Sequence, residues 1–341
     1  MARVIQQKIT LQNISLSIYS FGYSAGFIND ERIGAKNIQI LTPIDVANIC
    51  LNYGLGGIEI PVDRYFPDPS MDGLEDFIYK IKQMGLRLII DLEHFSKEYL
   101  QKLIPFLILN ESSFIRVKVS SFYGGNRYKN PIYQTDKLEF IKTINDSLQL
   151  LDKYQIQLLI ENHQDIVVED FKELIRKFGS NRIGVNWDIG NSFPTGETPM
   201  SFYSKLGSHI GNVHLKDYKL FKCDEGYLMS RCVLGSGVVD FKTLIKLLLD
   251  KPLTIELGAL NSRIADINNP EYWIHTKGIN DEEIKKFKSY IDSICILSDD
   301  WKSIWEMGAE PNDIFKSEFR EILDSISFLT KIIEEINYEF N

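Results

Sequence analysis

The chain has 341 residues, of which 44% are hydrophobic and 25% are charged, so it can bury a large core and is not expected to be disordered. Its formal net charge is −9 and it contains no run of lysine and arginine, which argues against nucleic acid as a partner. No stretch approaches the roughly 18 apolar residues that a membrane helix needs. We also expect no signal peptide, and the absence of a CxxC pair among the four cysteines favours the cytoplasm.

Short apolar runs alternate with helical patterns along the first three quarters of the chain. The candidate strands are 14–21, 57–62, 86–92, 114–119, 156–161, 182–188, 210–215 and 252–257. Several are apolar on both faces, as parallel strands buried beneath helices should be. Eight strands separated by helices favour a closed (β/α)8 TIM barrel. A doubly wound open sheet is the alternative, but no Gly-rich turn follows the first strand.

Residues 261–341 do not continue this alternation, so we divide the chain into a barrel (1–260) and a helical C-terminal extension (261–341). The last predicted helix has an apolar residue at every third or fourth position. We call this set the C-terminal stripe; it consists of Phe315, Phe319, Ile322, Ile326, Leu329, Ile333 and Ile336. Such a stripe needs a cover, which the barrel or a second subunit can supply. We expect a homodimer in which the extension contributes to the interface.

Polar side chains stand at the ends of four consecutive predicted strands. Glu161 and Asp188 end strands five and six, while strands seven and eight carry His214 and Glu256. The carboxyl ends of barrel strands meet at one rim, so these side chains can converge there. Three carboxylates in such a site repel one another unless a cation lies between them. The set predicts one divalent metal ion, Mn²⁺ first, with Mg²⁺, Co²⁺ or Zn²⁺ as alternatives. A single strand-end acid could instead cap a helix.

These residues lie in motifs that resemble those of the xylose isomerase-like barrels, a family of sugar isomerases and epimerases, inosose dehydratases and apurinic endonucleases. The resemblance spans about residues 12–258. It rests on IENH at Glu161, D-x-G-N from Asp188, H-x-K-D from His214, GSGVVDF at 235–241, and Glu256. It implies that the four strand-end residues bind the metal and that Glu161 and Glu256 form the acid/base pair.

Six further residues are candidate substrate ligands: His163, Asn191, Lys216, Lys118, Glu59 and Arg231. Each has a structural alternative. His163 could simply be packed, the lysines could form salt bridges, and Glu59 could pair with Arg64. Asn191 stands where some relatives place a histidine that contacts substrate. The 218–238 segment is long for a βα connection and could close over substrate with Arg231 facing inward, or it could be only a turn and the cap of the next helix.

The leading function is a metal-dependent isomerase or epimerase that acts through an enediolate on a small-molecule carbohydrate, either a keto-sugar or a sugar acid. The alternative is a metal-dependent lyase, a dehydratase or decarboxylase of a keto-inositol or oxo-sugar acid in carbohydrate catabolism. Lys118, Lys216 and Arg231 would suit such a carboxylated substrate. Five histidines and the net charge of −9 argue against a DNA-repair endonuclease. A non-catalytic sugar-binding barrel would have no use for an acid/base pair.

Overall fold

A computed structural model describes residues 8–35, 39–67, 70–120, 129, 133–274, 276 and 278–339. Its strands are β1 (Ile14–Ser17), β2 (Gly57–Pro61), β3 (Arg87–Asp91), β4 (Phe114–Val117), β5 (Gln157–Glu161), β6 (Ile183–Asp188), β7 (Ile210–Leu215), β8 (Tyr218–Cys223), β9 (Gly226–Arg231), β10 (Leu253–Ile255) and β11 (Arg263–Ala265). Eight of them close a parallel barrel in the order β1-β10-β7-β6-β5-β4-β3-β2. The predicted TIM barrel is therefore confirmed.

The helices surround the barrel and continue beyond it. They are α1 (Glu31–Ala35), α2 (Pro43–Tyr53), α3 (Val62–Tyr65), α4 (Leu74–Gln83), α5 (Lys97–Asn110), α6 (Tyr133–Tyr154), α7 (Val168–Phe178), α8 (Pro199–Leu206), α9 (Phe241–Leu247), α10 (Pro270–Ile274), α11 (Asp281–Ile294) and α12 (Pro311–Glu339). Local sequence sets their ends. Thr42 and Asp45 form a capping box at the start of α2, and Gly54 ends that helix with a φ of 74°. In the described part of the chain no helix combines the length and apolarity needed to cross a membrane.

The first strand is shorter than predicted. It ends at Ser17, and the chain turns into a 3-10 helix over Ile18–Phe21. The Ser17 hydroxyl accepts a hydrogen bond from the Tyr19 N–H at 3.3 Å, which stabilises this turn. Apolar residues continue through the turn, so the hydrophobic pattern alone could not show where the strand ends.

The segment predicted as a long loop, 218–238, contains a β-hairpin. Strands β8 and β9 pair antiparallel from Tyr218–Arg231 to Cys223–Gly226, and β11 adds a third strand. The hydrogen bonds of this small sheet tie the segment to the extension. Its 218–231 portion is therefore regular structure rather than a long loop that could fold over substrate.

The C-terminal stripe packs on the barrel of its own chain. Its last five residues belong to the same hydrophobic core as the barrel strands and helices: Ile322, Ile326, Leu329, Ile333 and Ile336. They are buried, so the stripe needs no second subunit to cover it. The homodimer remains a prediction, but the C-terminal stripe no longer supports it.

Candidate metal centre and active site

The four side chains predicted from the strand ends converge at the carboxyl end of the barrel. Glu161 ends β5, Asp188 ends β6, His214 lies in β7, and Glu256 directly follows β10. One ligand atom from each lies within 4.8 Å of the other three, and all four residues are buried. We call these residues the four-ligand group. Since carboxylates and imidazole are common metal donors, the group could hold a metal ion.

The Nε2 atom of His214 lies beside a carboxylate from the other side of the barrel and 3.1 Å from the amide nitrogen of Asn186. Glu59 Oε1, in β2, lies 2.9 Å from His214 Nε2. A carboxylate at this position favours the proton on Nε2 and leaves Nδ1 as the metal donor. Nδ1 points toward the group, 3.1 Å from Glu256 Oε2, and forms no hydrogen bond within the described ranges.

This geometry corrects the role predicted for Glu59. Its side chain is fully buried, lies beside His214 and does not line the cavity described below. It does not pair with Arg64 either, because the Arg64 guanidinium donates to the Gly26 carbonyl at 2.8 Å. Glu59 supports a candidate metal ligand instead.

Buried acids outnumber buried bases around the four-ligand group. The carboxylates are Glu59, Asp91, Glu161, Asp188 and Glu256. Two cations lie among them. The Lys216 ammonium contacts Asp188 and lies 2.8 Å from Glu256 Oε1. The Arg116 guanidinium contacts Glu161 and lies 2.6 Å from Asp91 Oδ1. With a neutral imidazole at His214, five ionised carboxylates against two cations would leave three negative charges in excess, and one divalent ion would reduce the excess to one.

The same imbalance appears in the protonation of these groups. Burial raises the pKa of Asp91 to about 6, and it raises the pKa of Asp188 despite the adjacent Lys216. Burial also opposes ionisation of Glu256, but Lys216 and His214 hold the pKa of that carboxyl well below its usual range. Glu256 is therefore ionised at neutral pH and can accept a proton.

The donor set fits a divalent ion. Three carboxylates and one imidazole suit Mn²⁺, Mg²⁺, Co²⁺ or Zn²⁺. The excess negative charge and the orientation of His214 Nδ1 are the two observations that agree with such an ion. Without an ion, Glu59 and Glu256 raise the pKa of His214 against the effect of burial, so they favour a second proton on its imidazole. A bound ion would take the place of that proton.

A cavity of about 290 Å³ adjoins the four-ligand group. This volume is near the lower end of the roughly 300–1,000 Å³ typical of small-molecule sites, so it suits a ligand the size of one sugar. The structure describes all four residues of the group, and among these four only Glu256 lines the cavity. Its carboxylate is therefore the one that a bound molecule would meet.

Four of the predicted substrate ligands line this cavity: His163, Asn191, Lys216 and Lys118. Burial lowers the pKa of His163 well below its ordinary value, and the nearby Lys118 adds to the effect, so the imidazole is neutral and can exchange hydrogen bonds with hydroxyl groups. The Asn191 amide donates to Glu161 Oε1 at 3.5 Å and so lies beside the four-ligand group.

A family model described as the xylose isomerase-like TIM barrel matches residues 47–276, about two thirds of the chain. The chain belongs to this family. It is 23% identical over 269 residues to the uncharacterised protein YihM of Escherichia coli K12, covering 75% of this chain and 76% of YihM. It is 21% identical over 173 residues to 3-oxo-isoapionate decarboxylase of Pectobacterium atrosepticum, covering 50% of this chain and 60% of that protein.

A solved L-ribulose 3-epimerase shares the fold, with a TM-score of 0.52 at 13% identity over 96% of both chains. Enzymes are thus found among both the relatives and the structural neighbours of this family member. At such identity the structural likeness shows the fold alone.

Two buried residues of the site were missed from the sequence. Asp91 is the last residue of β3, so the strand-end argument that found Glu161 could have found it. Arg116 lies in β4, two residues before Lys118, which places both side chains on the same side of an extended strand. A charged residue inside an otherwise apolar strand was the available signal.

Arg231 lies outside the cavity. It donates to the carbonyls of Gly258 at 2.6 Å and Ser20 at 2.9 Å, and to Glu321 Oε2 on α12 at 2.8 Å. The predicted contact between Arg231 and substrate is therefore corrected. The side chain instead joins β9 to α12 and holds Gly258, which lines the cavity two residues after Glu256.

Proposed function

We propose that this member of the family is a divalent-metal-dependent isomerase or epimerase, which converts a keto-sugar or sugar acid through an enediolate. The observation that carries the proposal is the position of Glu256, whose carboxylate belongs to the four-ligand group and also lines the cavity. A proton acceptor in that position can reach a C–H bond of a bound sugar. We propose one ion per chain, Mn²⁺ in the first place.

The ion, when bound, supplies the positive charge that acidifies the C–H bond beside a carbonyl and stabilises the enediolate. Glu256 removes the proton, because Lys216 and His214 keep its carboxyl ionised. Glu161 is the second acid/base of the proposal and returns a proton at the neighbouring carbon or on the other face. His163 and Asn191 hold substrate hydroxyl groups from the cavity wall.

A lyase is the second candidate, favoured by the unequal placement of the two glutamates. Glu256 faces the cavity, whereas Glu161 is buried against Arg116. One exposed base suits a dehydration, in which a proton is removed and hydroxide leaves and becomes water. Decarboxylation of a β-oxo acid needs no base: the C–C bond pair enters the enolate as CO2 leaves, and the enolate carbon then takes up a proton from water. The similarity to 3-oxo-isoapionate decarboxylase favours this candidate as well.

The test is to incubate the Mn²⁺-loaded full-length protein with keto-sugars and sugar acids in D2O and to follow products by NMR. Deuterium beside the carbonyl together with a new sugar isomer supports the isomerase or epimerase, whereas release of CO2 or water supports the lyase. Glu256→Gln and Glu161→Gln should each slow isomerisation by about 10² to 10⁴. Glu139→Gln, on the exposed face of α6, is the matched control. Wild-type isomerisation by both active-site variants would overturn the acid/base assignment.

A further inference from the structure

Three side chains behind the cavity wall are joined in a closed set of hydrogen bonds. Gln164, three residues after the end of β5, donates from Nε2 to Asn191 Oδ1 at 2.8 Å and to the Tyr218 hydroxyl oxygen at 3.1 Å. The Tyr218 hydroxyl in turn donates to Asn191 Oδ1 at 3.1 Å. The structure describes all three side chains. They are buried, and among these three only Asn191 lines the cavity.

The Glu161 carboxylate fixes the direction of these hydrogen bonds. A side-chain amide can face a neighbour with its oxygen or with its nitrogen, and the three residues alone would be satisfied in either sense. Asn191 Nδ2 lies 3.5 Å from Glu161 Oε1. A carboxylate that is already in contact with Arg116 can only accept, so the amide nitrogen belongs on that side. The amide oxygen then faces Gln164 and Tyr218.

The backbone accommodates this arrangement at two positions. Gln164 has a φ of 69°, in the left-handed region that glycine adopts more easily, so a glutamine here indicates that its side chain is required. Gln155 has a similar φ of 53°, but it directly follows α6, and left-handed residues commonly end helices. At Gly190 a Cβ atom would lie 2.9 Å from the Tyr218 ring, so glycine lets that ring pack beside Asn191.

We propose that Gln164 and Tyr218 are positioning residues, which fix the Asn191 amide so that it presents N–H groups, and not its oxygen, to Glu161 and the cavity. The 3.5 Å contact with Glu161 is too long to hold the amide by itself, so the two shorter hydrogen bonds to the amide oxygen supply the restraint.

This inference rests on the proposed function, because it specifies which kind of substrate atom Asn191 can hold. That atom must accept a hydrogen bond, as the oxygen of a carbonyl or of an enediolate does. Negative charge develops on such an oxygen when a proton leaves the neighbouring carbon. A donor that is already fixed in place stabilises this charge without having to reorient during the reaction.

Neutron diffraction from deuterium-exchanged crystals of the full-length protein tests the orientation without a substrate. In wild type we expect both deuterium atoms of the Asn191 amide on the side of Glu161. The double variant Gln164→Met/Tyr218→Phe keeps the bulk of both side chains but removes the two donors, so the amide should lose its single orientation. Amide deuterium atoms on the Tyr218 side in wild type overturn the inference, and so does an unchanged orientation in the double variant.

Deuterium exchange measures the effect on the proposed reaction. The probes are D-fructose, L-sorbose and D-xylulose in D2O with Mn²⁺-loaded protein. Gln164→Met and Tyr218→Phe should each slow exchange into the sugar that wild type labels fastest by up to about 10²-fold, because displacing a positioned group by about 1 Å can cost that much. In an Asn191→Ala background the same changes should slow exchange no further, since they act through that amide. Losses that add in full to the loss in Asn191→Ala overturn the positioning role.

The matched controls are Gln155→Met and Tyr79→Phe. Gln155 is exposed and shares the left-handed φ, and Tyr79 is 46% exposed, so both variants should exchange like wild type. If wild type labels none of the three sugars, the proposed function fails for keto-sugars, and the orientation of the amide in the neutron structures decides this inference alone.

Discussion

At the scale of single residues, the candidate metal centre depends on a few buried side chains that hold one another in place. Glu59 lies behind His214, and Asp91 lies behind Arg116, on strands that the chain reaches early. Both acids are buried and neither lines the cavity. Their contribution is to set the charge and orientation of groups that do approach the ion or the substrate.

Glu59→Gln should weaken metal binding without removing a ligand. The amide has less power to keep the His214 proton on Nε2, so Nδ1 is less available, and loss of such a partner typically costs about 10- to 100-fold in metal affinity. Competition with a chelator, followed by metal analysis, measures this effect. Glu93→Gln is the control. Glu93 is a nearby glutamate that lines the cavity and accepts a hydrogen bond from the Tyr19 hydroxyl at 3.3 Å, but it does not belong to the four-ligand group. Equal affinity in wild type and Glu59→Gln would show that Glu59 does not orient His214.

The same residues show what the sequence could and could not predict. The rule that barrel sites lie at strand ends was sufficient for Glu161, Asp188, His214 and Glu256, because the period of the strands fixes where they end. Glu59 was assigned to substrate because its partner is 155 positions away and enters only when the barrel closes. Arg231 was misplaced for a similar reason, since its acceptors come from three distant segments. Contacts across the barrel leave no local pattern.

At the scale of elements, the hairpin of β8 and β9 is fixed to the barrel by Asp217. Its carboxylate accepts from the N–H groups of Tyr218, Gly235, Gly237 and Val239, at 2.9 to 3.1 Å. A Cβ atom at Gly237 would lie 2.3 Å from Asp217 Oδ1, so glycine is required there. This explains the joint presence of H-x-K-D and GSGVVDF in the sequence, because the second motif wraps the last residue of the first.

Asp217→Ala should lower the free energy of unfolding by about 3 kcal/mol or more, because each buried donor left without an acceptor costs about 1–3 kcal/mol. Urea denaturation measures the change. Asp240→Ala is a suitable comparison, since Asp240 accepts from the Thr243 N–H and hydroxyl at the exposed start of α9, and its loss should cost about 1 kcal/mol. Similar losses in the two variants would contradict the anchoring role of Asp217.

The pH dependence of stability provides a separate test of this residue. Burial raises the pKa of Asp217 from 3.8 to about 6, although its four hydrogen bonds oppose the shift. Between these values the folded chain holds a proton that the unfolded chain has lost. The contribution of Asp217 to the free energy of unfolding therefore falls as pH rises through this window. Stability curves of wild type should show this fall and those of Asp217→Ala should not; a slope shared by both would exclude Asp217 as its source.

At the scale of the whole molecule, the extension is integrated with the barrel. Strand β11 pairs with β9, and α12 places its stripe in the barrel's core. The 4-3-4 spacing of the stripe correctly predicted a buried helix face, but it could not distinguish a cover from the same chain from one supplied by a second subunit. The surface on which α12 packs depends on the path of the chain between α9 and α12, and the periodicity of the stripe contains no information on that path.

Ile322→Ala should therefore destabilise the fold rather than separate subunits. Ile322 is fully buried, and a change of this kind typically costs about 2–5 kcal/mol. The control is Ile274→Ala, whose side chain is 70% exposed and should change stability by less than about 0.5 kcal/mol. Denaturation and light scattering together decide the point. A variant of unchanged stability but halved mass would instead restore the interface interpretation.

The Glu318 carboxylate on α12 accepts hydrogen bonds from the Tyr23 and Ser24 N–H groups, at 2.9 and 2.8 Å, in the turn that follows β1. Gly22 of that turn lines the cavity. The ribosome synthesises Tyr23 first and adds Glu318, the residue that accepts its hydrogen bond, 295 residues later. We expect the barrel to begin folding on the ribosome while this wall of the cavity is still unsupported. A nascent chain would then close its barrel well before α12 supports this wall.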